Sequence, residues 1–493
     1  MLRKIFGYGT LAIISVLIQL ILITYAVSAG GKIPAVGFFY HLVTLSCIFY
    51  ILNSSMPDSY KLCWIIPMLC LPLYGGVYFL LFSKKHSVNA IHYKMRPYLT
   101  SSMKEIMSLP CENGIQHYLA EHAGFPLTVS EKSRYFHTGE ELFEEMLKKI
   151  SEAEEYIFIE FFIISEGAAW TRMENLLSQK ASEGVKVRII ADGAGCLFVK
   201  PKNFKKRLIS MGIEYREFNP VSLRVTGRVN YRNHRKILVC DGKYAFCCGI
   251  NIADEYMNYK KRFGKWKDTG IMVSDGGAQS FTAMFCGMWN YLSGKKEIPF
   301  IDFREYERNP ADSLVQPFSE TPLDNEAVGL RTYLSLINEA RTSVYLTTPY
   351  LICDDEMLGA LEYAAKRGVR VCIITPGVPD KKYVYTLTRS HYKSLIPAGV
   401  EIYEYTPGFV HAKTLVIDEK TAVAGTINFD YRSMFMLFEC ACVFYGGNVA
   451  DEITADFLQT VRVCRRINYE EVSKTGVLVR IARGFLRLFA PLM

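Results

Sequence analysis

Three long apolar runs stand at the head of the chain, and short β-branched runs alternating with amphipathic helical patterns fill the rest. Residues 5–31 carry no charge and include "GTLAIISVLIQLILITYAVSA", long enough for the ~20-residue helix that crosses a bilayer. A second run, "IPAVGFFYHLVTLSCIFYIL" over 33–52, is nearly as apolar. The third, "LCWIIPMLCLPLYGGVYFLLF" over 62–82, is interrupted by Pro67, Pro72, Gly75 and Gly76. Runs this long and this close together fit neither a cleaved signal peptide nor buried core helices. They predict a membrane region over 1–83 with two or three transmembrane helices.

Arg3 and Lys4 precede the first run, and Lys84, Lys85, Lys94 and Arg96 follow the last. Basic flanks on both sides favour the cytoplasm for each and so an even number of crossings, with the Pro/Gly-broken third run re-entrant or shallow. The expected location is the cell membrane, multi-pass, with the large domain on the cytoplasmic side.

Beyond about residue 110 the alternation of strand and helix patterns predicts βαβ units around sheets covered on both faces. The pattern also repeats. "ISEAEEYIFIEFFII" matches "INEARTSVYLTTPYLI", "EGVKVRIIADG" matches "RGVRVCIITPG", and "LISMGIEYREFNP" matches "LIPAGVEIYEYTP". The offset is 187 residues at Ala153/Ala340 and Pro220/Pro407 and 177 at His234/His411, so ten extra residues precede the first histidine, within "VSLRVTGRVNYRN". The expected organisation is a connecting segment over 84–125, lobes over 126–300 and 326–470, and a Pro- and acid-rich linker over 301–325 between them. At the C-terminus, residues 471–493 place Arg480, Arg483 and Arg487 at helical spacing on an apolar segment, which suits an amphipathic helix at an anionic lipid surface.

A chain of 493 residues with 50% apolar side chains can bury more than one core. Its net charge of +8 favours an acidic partner without choosing nucleic acid or lipid. The 14 cysteines have no regular spacing, several lie in apolar strand-like runs, and they predict free buried thiols in a reducing compartment. Neither a disulfide framework nor a zinc site is expected.

The chemistry lies in the repeat. "RNHRKILVCDG" sets His234, Lys236 and Asp241 at the spacing that "VHAKTLVIDEK" repeats with His411, Lys413 and Asp418. Read as strands, each segment projects its histidine and lysine from one face. Each then turns at its aspartate, and a second strand leads to Asn251 in one copy and Asn428 in the other. Asp241 and Asp418 fit a catalytic set or a structural place in the turn. Duplicated units packing about a pseudo-two-fold would bring the two histidines face to face. That arrangement suits displacement at a phosphodiester, one imidazole attacking phosphorus and the other protonating the leaving alkoxide. Lys236, Lys413, Asn251 and Asn428 would stabilise the oxygens without a metal. Asp268 and Glu439, at corresponding places in the copies, would orient the histidines.

These residues resemble the phospholipase D superfamily, whose hallmark is a duplicated H-x-K-x4-D motif, and within it the bacterial cardiolipin synthases. The likeness extends over nearly the whole chain through "YFHTGEELFEEMLKKI", "WKDTG", "TTPYLI", "HAKTLVIDEKTAVAGTINFDYRS" and "FLRLFAPLM". It implies an α/β fold of two pseudo-symmetric phospholipase D-like lobes, mixed sheets flanked by helices, behind N-terminal transmembrane helices. It also implies a ping-pong transfer without metal or cofactor. One phosphatidylglycerol gives its phosphatidyl group to a histidine, with His234 the expected nucleophile and His411 the acid; glycerol leaves, and a second phosphatidylglycerol accepts the group to form cardiolipin. The expected partners are phosphatidylglycerol, other anionic phospholipids and the membrane, with no nucleic acid. Two membrane helices are usual in the family, so the first apolar run looks like an extension. Cys248 stands where the family shows the first glycine of G-G-x-N. A membrane-bound phospholipase D-type hydrolase or nuclease would use the same residues with water as acceptor, and a lipid-binding scaffold would use none of them.

Overall fold

The computed structural model describes residues 34–54, 58–70, 79, 94–99, 103–221, 230–294, 313–324, 326–474 and 476–492. The first apolar run, most of the ten-residue insertion and residues 301–312 lie outside the described residues. The chain divides into an N-terminal unit, Met1–Ser87, and a large unit, Val88–Pro491.

In the N-terminal unit, helices α1 (Pro34–Leu52) and α2 (Asp58–Cys70) pack through Cys47, Ile51, Trp64 and Met68, joined by Phe79. Pro67 lies inside α2. Among the described residues no helix is long and apolar enough to cross a membrane, so the expected transmembrane helices are not seen there.

The large unit holds two sheets. The first runs in the order β2 (Arg134–Phe136), β9 (Gly270–Ser274), β8 (Tyr244–Cys248), β7 (Ile237–Cys240), β3 (Tyr156–Phe161), β4 (Lys186–Asp192), β5 (Glu214–Phe218). The second runs β1 (Thr128–Ser130), β10 (Ser313–Glu320), β18 (Leu437–Tyr445), β16 (Thr421–Gly425), β15 (Thr414–Ile417), β11 (Ser343–Thr347), β13 (Arg370–Pro376), β14 (Glu401–Tyr405), β19 (Cys464–Arg466). The short β6 (Arg232–Asn233) adds to β18, and β12 (Leu351–Ile352) pairs with β17 (Phe429–Asp430). In each sheet a parallel trio, β3-β4-β5 or β11-β13-β14, adjoins an antiparallel hairpin, β7-β8 or β15-β16. The sheets are mixed, and both have this arrangement. The expected linker over 301–325 is corrected in its second half, because Ser313–Glu320 pairs along its length with β18 and is a strand of the second sheet.

Alternating side chains explain how each sheet is covered twice. Ile237 and Val239 of β7 enter a central core while Leu238 and Cys240 enter an outer one; Val416 of β15 points in, Leu415 and Ile417 out. Helices α3 (Gly139–Glu152), α4 (Ala168–Ser182) and α5 (Phe204–Ser210) cover the first sheet's outer face. The central core is shared by both sheets and by α6 (Asp275–Ser293), whose residues from Gly276 to Asn290 are all buried. Helices α7 (Val328–Glu339), α8 (Asp355–Lys366) and α9 (Lys382–Leu395) cover the second sheet's outer face, and α11 (Asn448–Val461), after the short α10 (Tyr431–Phe435), joins the central core. The last helix, α12 (Val477–Leu488), lies on α9, where Arg487 reaches His391 at 3.2 Å. All cysteines are free, and those on the central strands are buried, as the sequence predicts.

Candidate active site

The histidines do not lie on strands. His234 to Lys236 form an irregular link between β6 and β7, and His411 to Lys413 sit just before β15. The expected strand ladder is replaced by the opposite lobe's main chain: the His234 amide donates to the Phe438 carbonyl at 2.8 Å and the His411 amide to the Lys267 carbonyl at 2.7 Å. Each motif is therefore fixed by the copy to which it does not belong.

The side chains follow the same crossing. His234 Nδ1 lies 2.9 Å from both carboxylate oxygens of Glu439, in the second lobe, and His411 Nδ1 lies 2.6 Å from Asp268 Oδ2, in the first. A ring N–H given to a carboxylate through Nδ1 leaves Nε2 free on the other side of the ring. Both carboxylates are wholly buried, and Glu439 also accepts from the hydroxyls of Thr426 and Ser433. The lobes use carboxylates of different length, and the backbone compensates. A Cβ on Gly249 would lie 1.9 Å from Asp268 Oδ1, so only glycine lets the short aspartate in. The longer Glu439 meets Thr426 at the corresponding position, and the amides of Gly249 and Thr426 make equivalent bonds to Thr269 and Cys440. Cys248 is accommodated similarly. Its cross-strand neighbour is Gly270, where a Cβ would come within 2.7 Å of the cysteine's own; in the second lobe the glycine, Gly425, and the larger residue, Ala441, have exchanged strands.

Lys236 and Lys413 are buried, and each ammonium folds back to donate to its own histidine's carbonyl, Lys236 at 2.6 Å. Lys413 Nζ is also 2.9 Å from His411 Nδ1. Burial, then the cation of Lys413, pushes His411 down to about 4 against the pull of Asp268. Burial, then Lys236 and Lys413, takes His234 well below the ordinary imidazole range. Desolvation lowers Lys413 to about 7 and raises Glu439 to about 8. Both lysines bear electrostatically on both histidines.

The asparagines differ. Asn251 accepts from the Ile163 amide at 3.0 Å and donates to the Tyr256 hydroxyl at 2.7 Å, whereas the buried Asn428 Oδ1 has no hydrogen-bond partner among the described residues. Asp241 and Asp418, placed in the catalytic set on the strength of the motif, are corrected. They stand at the far end of β7 and β15, beyond the strands that separate them from the histidines, and their carboxylates face main chain. Asp241 accepts from the amides of Glu154, Glu155 and Tyr156, and Asp418 from those of Arg341, Thr342 and Ser343. Each ties its turn to the start of the neighbouring strand, β3 or β11, a structural task.

Several contributors escaped the sequence reading. Phe162 packs edge-on against the His234 ring at 5.1 Å, while Tyr256, Trp266 and Phe409 surround His411 at 5.4–5.8 Å between ring centres. Arg235, the residue between His234 and Lys236, is buried against Glu160 at 2.7 Å; in the second copy Ala412 takes its place. The charged residue inside an apolar strand run at Glu160 was the available signal.

Two interlocked lobes with crossed histidine–carboxylate pairs define a phospholipase D-like protein. The family model described as "Cardiolipin synthase, PLD-like domain" matches residues 146–289 and 333–461, one segment in each lobe, and the chain belongs to that family. It is 31% identical over 458 residues to a cardiolipin synthase of Clostridium perfringens, covering 87% of this chain and 93% of that one. It is 29% identical over 483 residues to a cardiolipin synthase of Geobacillus kaustophilus, with 94% and 95% covered. Among solved structures, phosphatidylserine synthase of Haemophilus influenzae shares the fold with a TM-score of 0.58 at 13% identity, over 77% of this chain and 98% of that one.

Proposed function

We propose that this cardiolipin synthase moves a phosphatidyl group between two phosphatidylglycerol molecules through a covalent adduct on His234. His234 Nε2 attacks phosphorus, a P–N bond forms, and the bond from phosphorus to the glycerol headgroup oxygen breaks as that oxygen takes a proton from His411. Glycerol leaves. His411 then accepts the proton of a hydroxyl on the second phosphatidylglycerol, whose oxygen attacks the adduct and releases His234.

The observation that carries this reading is the crossed pairing, in which each lobe's imidazole, beside its own lysine, meets the other lobe's carboxylate. The order of the histidines rests on their unequal partners. Asp268 helps His411 hold a proton, whereas Glu439 is itself pushed up to about 8 and does less for His234, leaving that ring the better free base. The arriving phosphodiester adds negative charge that favours protonation of His411. Lys236, Lys413 and the Nδ2 group of Asn428 are donors for the equatorial oxygens. Asn251, already bonded to Tyr256, has less to give.

The reaction takes place at the cell membrane, with the large unit on the cytoplasmic side. Helix α1 exposes Phe38, Leu42, Leu45, Phe49 and Leu52 at helical spacing, an apolar face suited to lipid. Helix α12 exposes Leu478, Ile481 and Phe485 beside its arginines, as an interfacial helix would. Exchange of one phosphodiester for another is nearly isoenergetic, so a site that meets lipid hydroxyls rather than water forms cardiolipin. Purified protein given phosphatidylglycerol labelled in its terminal glycerol should release glycerol and accumulate cardiolipin. Phosphatidic acid as the dominant product would make it a hydrolase.

A further inference from the structure

We infer that two corresponding loops at the rim of the site, after β4 and after β13, form a basic, aromatic-tipped surface that rests the cleft on an anionic bilayer. The inference rests on the transferase reading and names the surface through which the site meets its lipid.

The loop after β4, residues 193–203, is held at its base by the site. Asp192 Oδ1 accepts from the amides of Ala194 and Gly195, and its other oxygen accepts from Asn233, the residue before His234. Cys196 Sγ accepts from the Ile164 amide at 3.2 Å and donates to the carbonyl of Phe162, whose ring packs on His234. The Glu166 amide binds the Val199 carbonyl at 3.1 Å. On this fixed base Phe198 stands 91% exposed, with Val199 39% exposed beside it. A tightly hydrogen-bonded loop that presents an aromatic ring to the outside gains nothing from water. Lys202, Lys205 and Lys206, all exposed, follow within eight residues.

One exposed phenylalanine alone would be unremarkable. The second lobe repeats the feature independently. Its loop after β13 leads into α9, and at that junction Lys381 and Lys382 are exposed and Tyr383, in the helix's first turn, is 48% exposed. Aromatic tips beside lysines, one set from each lobe and each issuing from the strand end that borders the site, match the headgroup layer of an anionic membrane. The rings reach the acyl boundary and the ammonium groups meet phosphates. Helix α12, through Leu486, and the turn after it, through Ala490, pack on the same α9, which extends the lipid-compatible surface from this rim.

The test uses the full chain in proteoliposomes containing phosphatidylglycerol. The indole introduced by Phe198→Trp is expected to lose emission, relative to the unsubstituted protein, when lipids brominated high on the acyl chain replace ordinary ones. Tyr383→Trp is expected to do the same from the other lobe. Reversing charge at Lys202, Lys205 and Lys206 should slow cardiolipin formation on vesicles but not on detergent-dispersed phosphatidylglycerol. Indole emission indifferent to bromine in both variants, with cardiolipin still formed, would overturn the surface and leave the transferase reading standing. Quenching without cardiolipin formation would support the surface and defeat that reading.

Discussion

At the residue scale the site works by removing water from charges. Glu439 and Lys413, taken by burial to about 8 and about 7, make the shared site lose a proton across that window. The protonated form, whose lysine supplies cationic charge to the phosphate, exists below it. A kcat/KM profile in pH should fall with rising pH between 7 and 8 and show no separate loss near 6.5 on the acid side, because His234 is held below the usual imidazole range. A rate that climbs through 6.5, as for a free imidazole base, would contradict this. Glu439→Gln should leave KM near its original value and lower kcat by about 10²- to 10⁴-fold, since the amide no longer favours the right ring tautomer; steady-state kinetics on mixed micelles decide it.

The aspartates belong to another category. Asp418→Ala should cost about 1–3 kcal/mol by leaving three main-chain amides without their acceptor, while kcat at a permissive temperature stays within a few-fold. The main-chain bonds hold Asp418 below the ordinary carboxylate range even though burial opposes them. Its contribution is thus fully present above the unfolded carboxyl value and fades as pH falls through the lowered folded one. Denaturant midpoints of the two proteins should therefore converge in acid; a gap that persists would contradict the assignment.

At the scale of elements, two hairpins carry the motifs, and their turns differ in strain. Asp241 and Gly242 both have positive φ, at 54° and 63°, the geometry of a tight primed turn. The second turn has Asp418 and Glu419 at 53° and 58°, so a residue with a Cβ occupies a place that glycine fills in the first. Glu419→Gly should stabilise the protein by about 1 kcal/mol without changing turnover, read as a higher denaturant midpoint. Both hairpins were legible because apolar alternation flanks an Asp-led turn. The strand position of the histidines was not, because the segment "RNHRK" reads as extended chain and nothing local says that its hydrogen bonds go to Phe438, about two hundred residues away. Residues 313–320 were lost to the linker for a related reason. Their proline, Pro317, and polar residues resemble connecting chain, yet the segment pairs throughout with β18.

For the whole molecule, the duplication was visible in the sequence. The crossing of carboxylates between lobes was not. Asp268 and Glu439 were legible as orienting groups from their matched positions, but which histidine each serves depends on how the lobes interlock, through β6 on β18 and Lys267 beside Val410. The interlocking has an energetic consequence: neither lobe holds its histidine alone, so a site assembled from one lobe lacks both the ring's acceptor and its main-chain tie. The most direct test quenches the enzyme in acid-free conditions during turnover of labelled phosphatidylglycerol and maps the covalent adduct by mass spectrometry. The account predicts a phosphatidyl group on His234, accumulating further in His411→Ala when the leaving group needs no protonation; label on His411, or turnover with no histidine adduct at all, would contradict it.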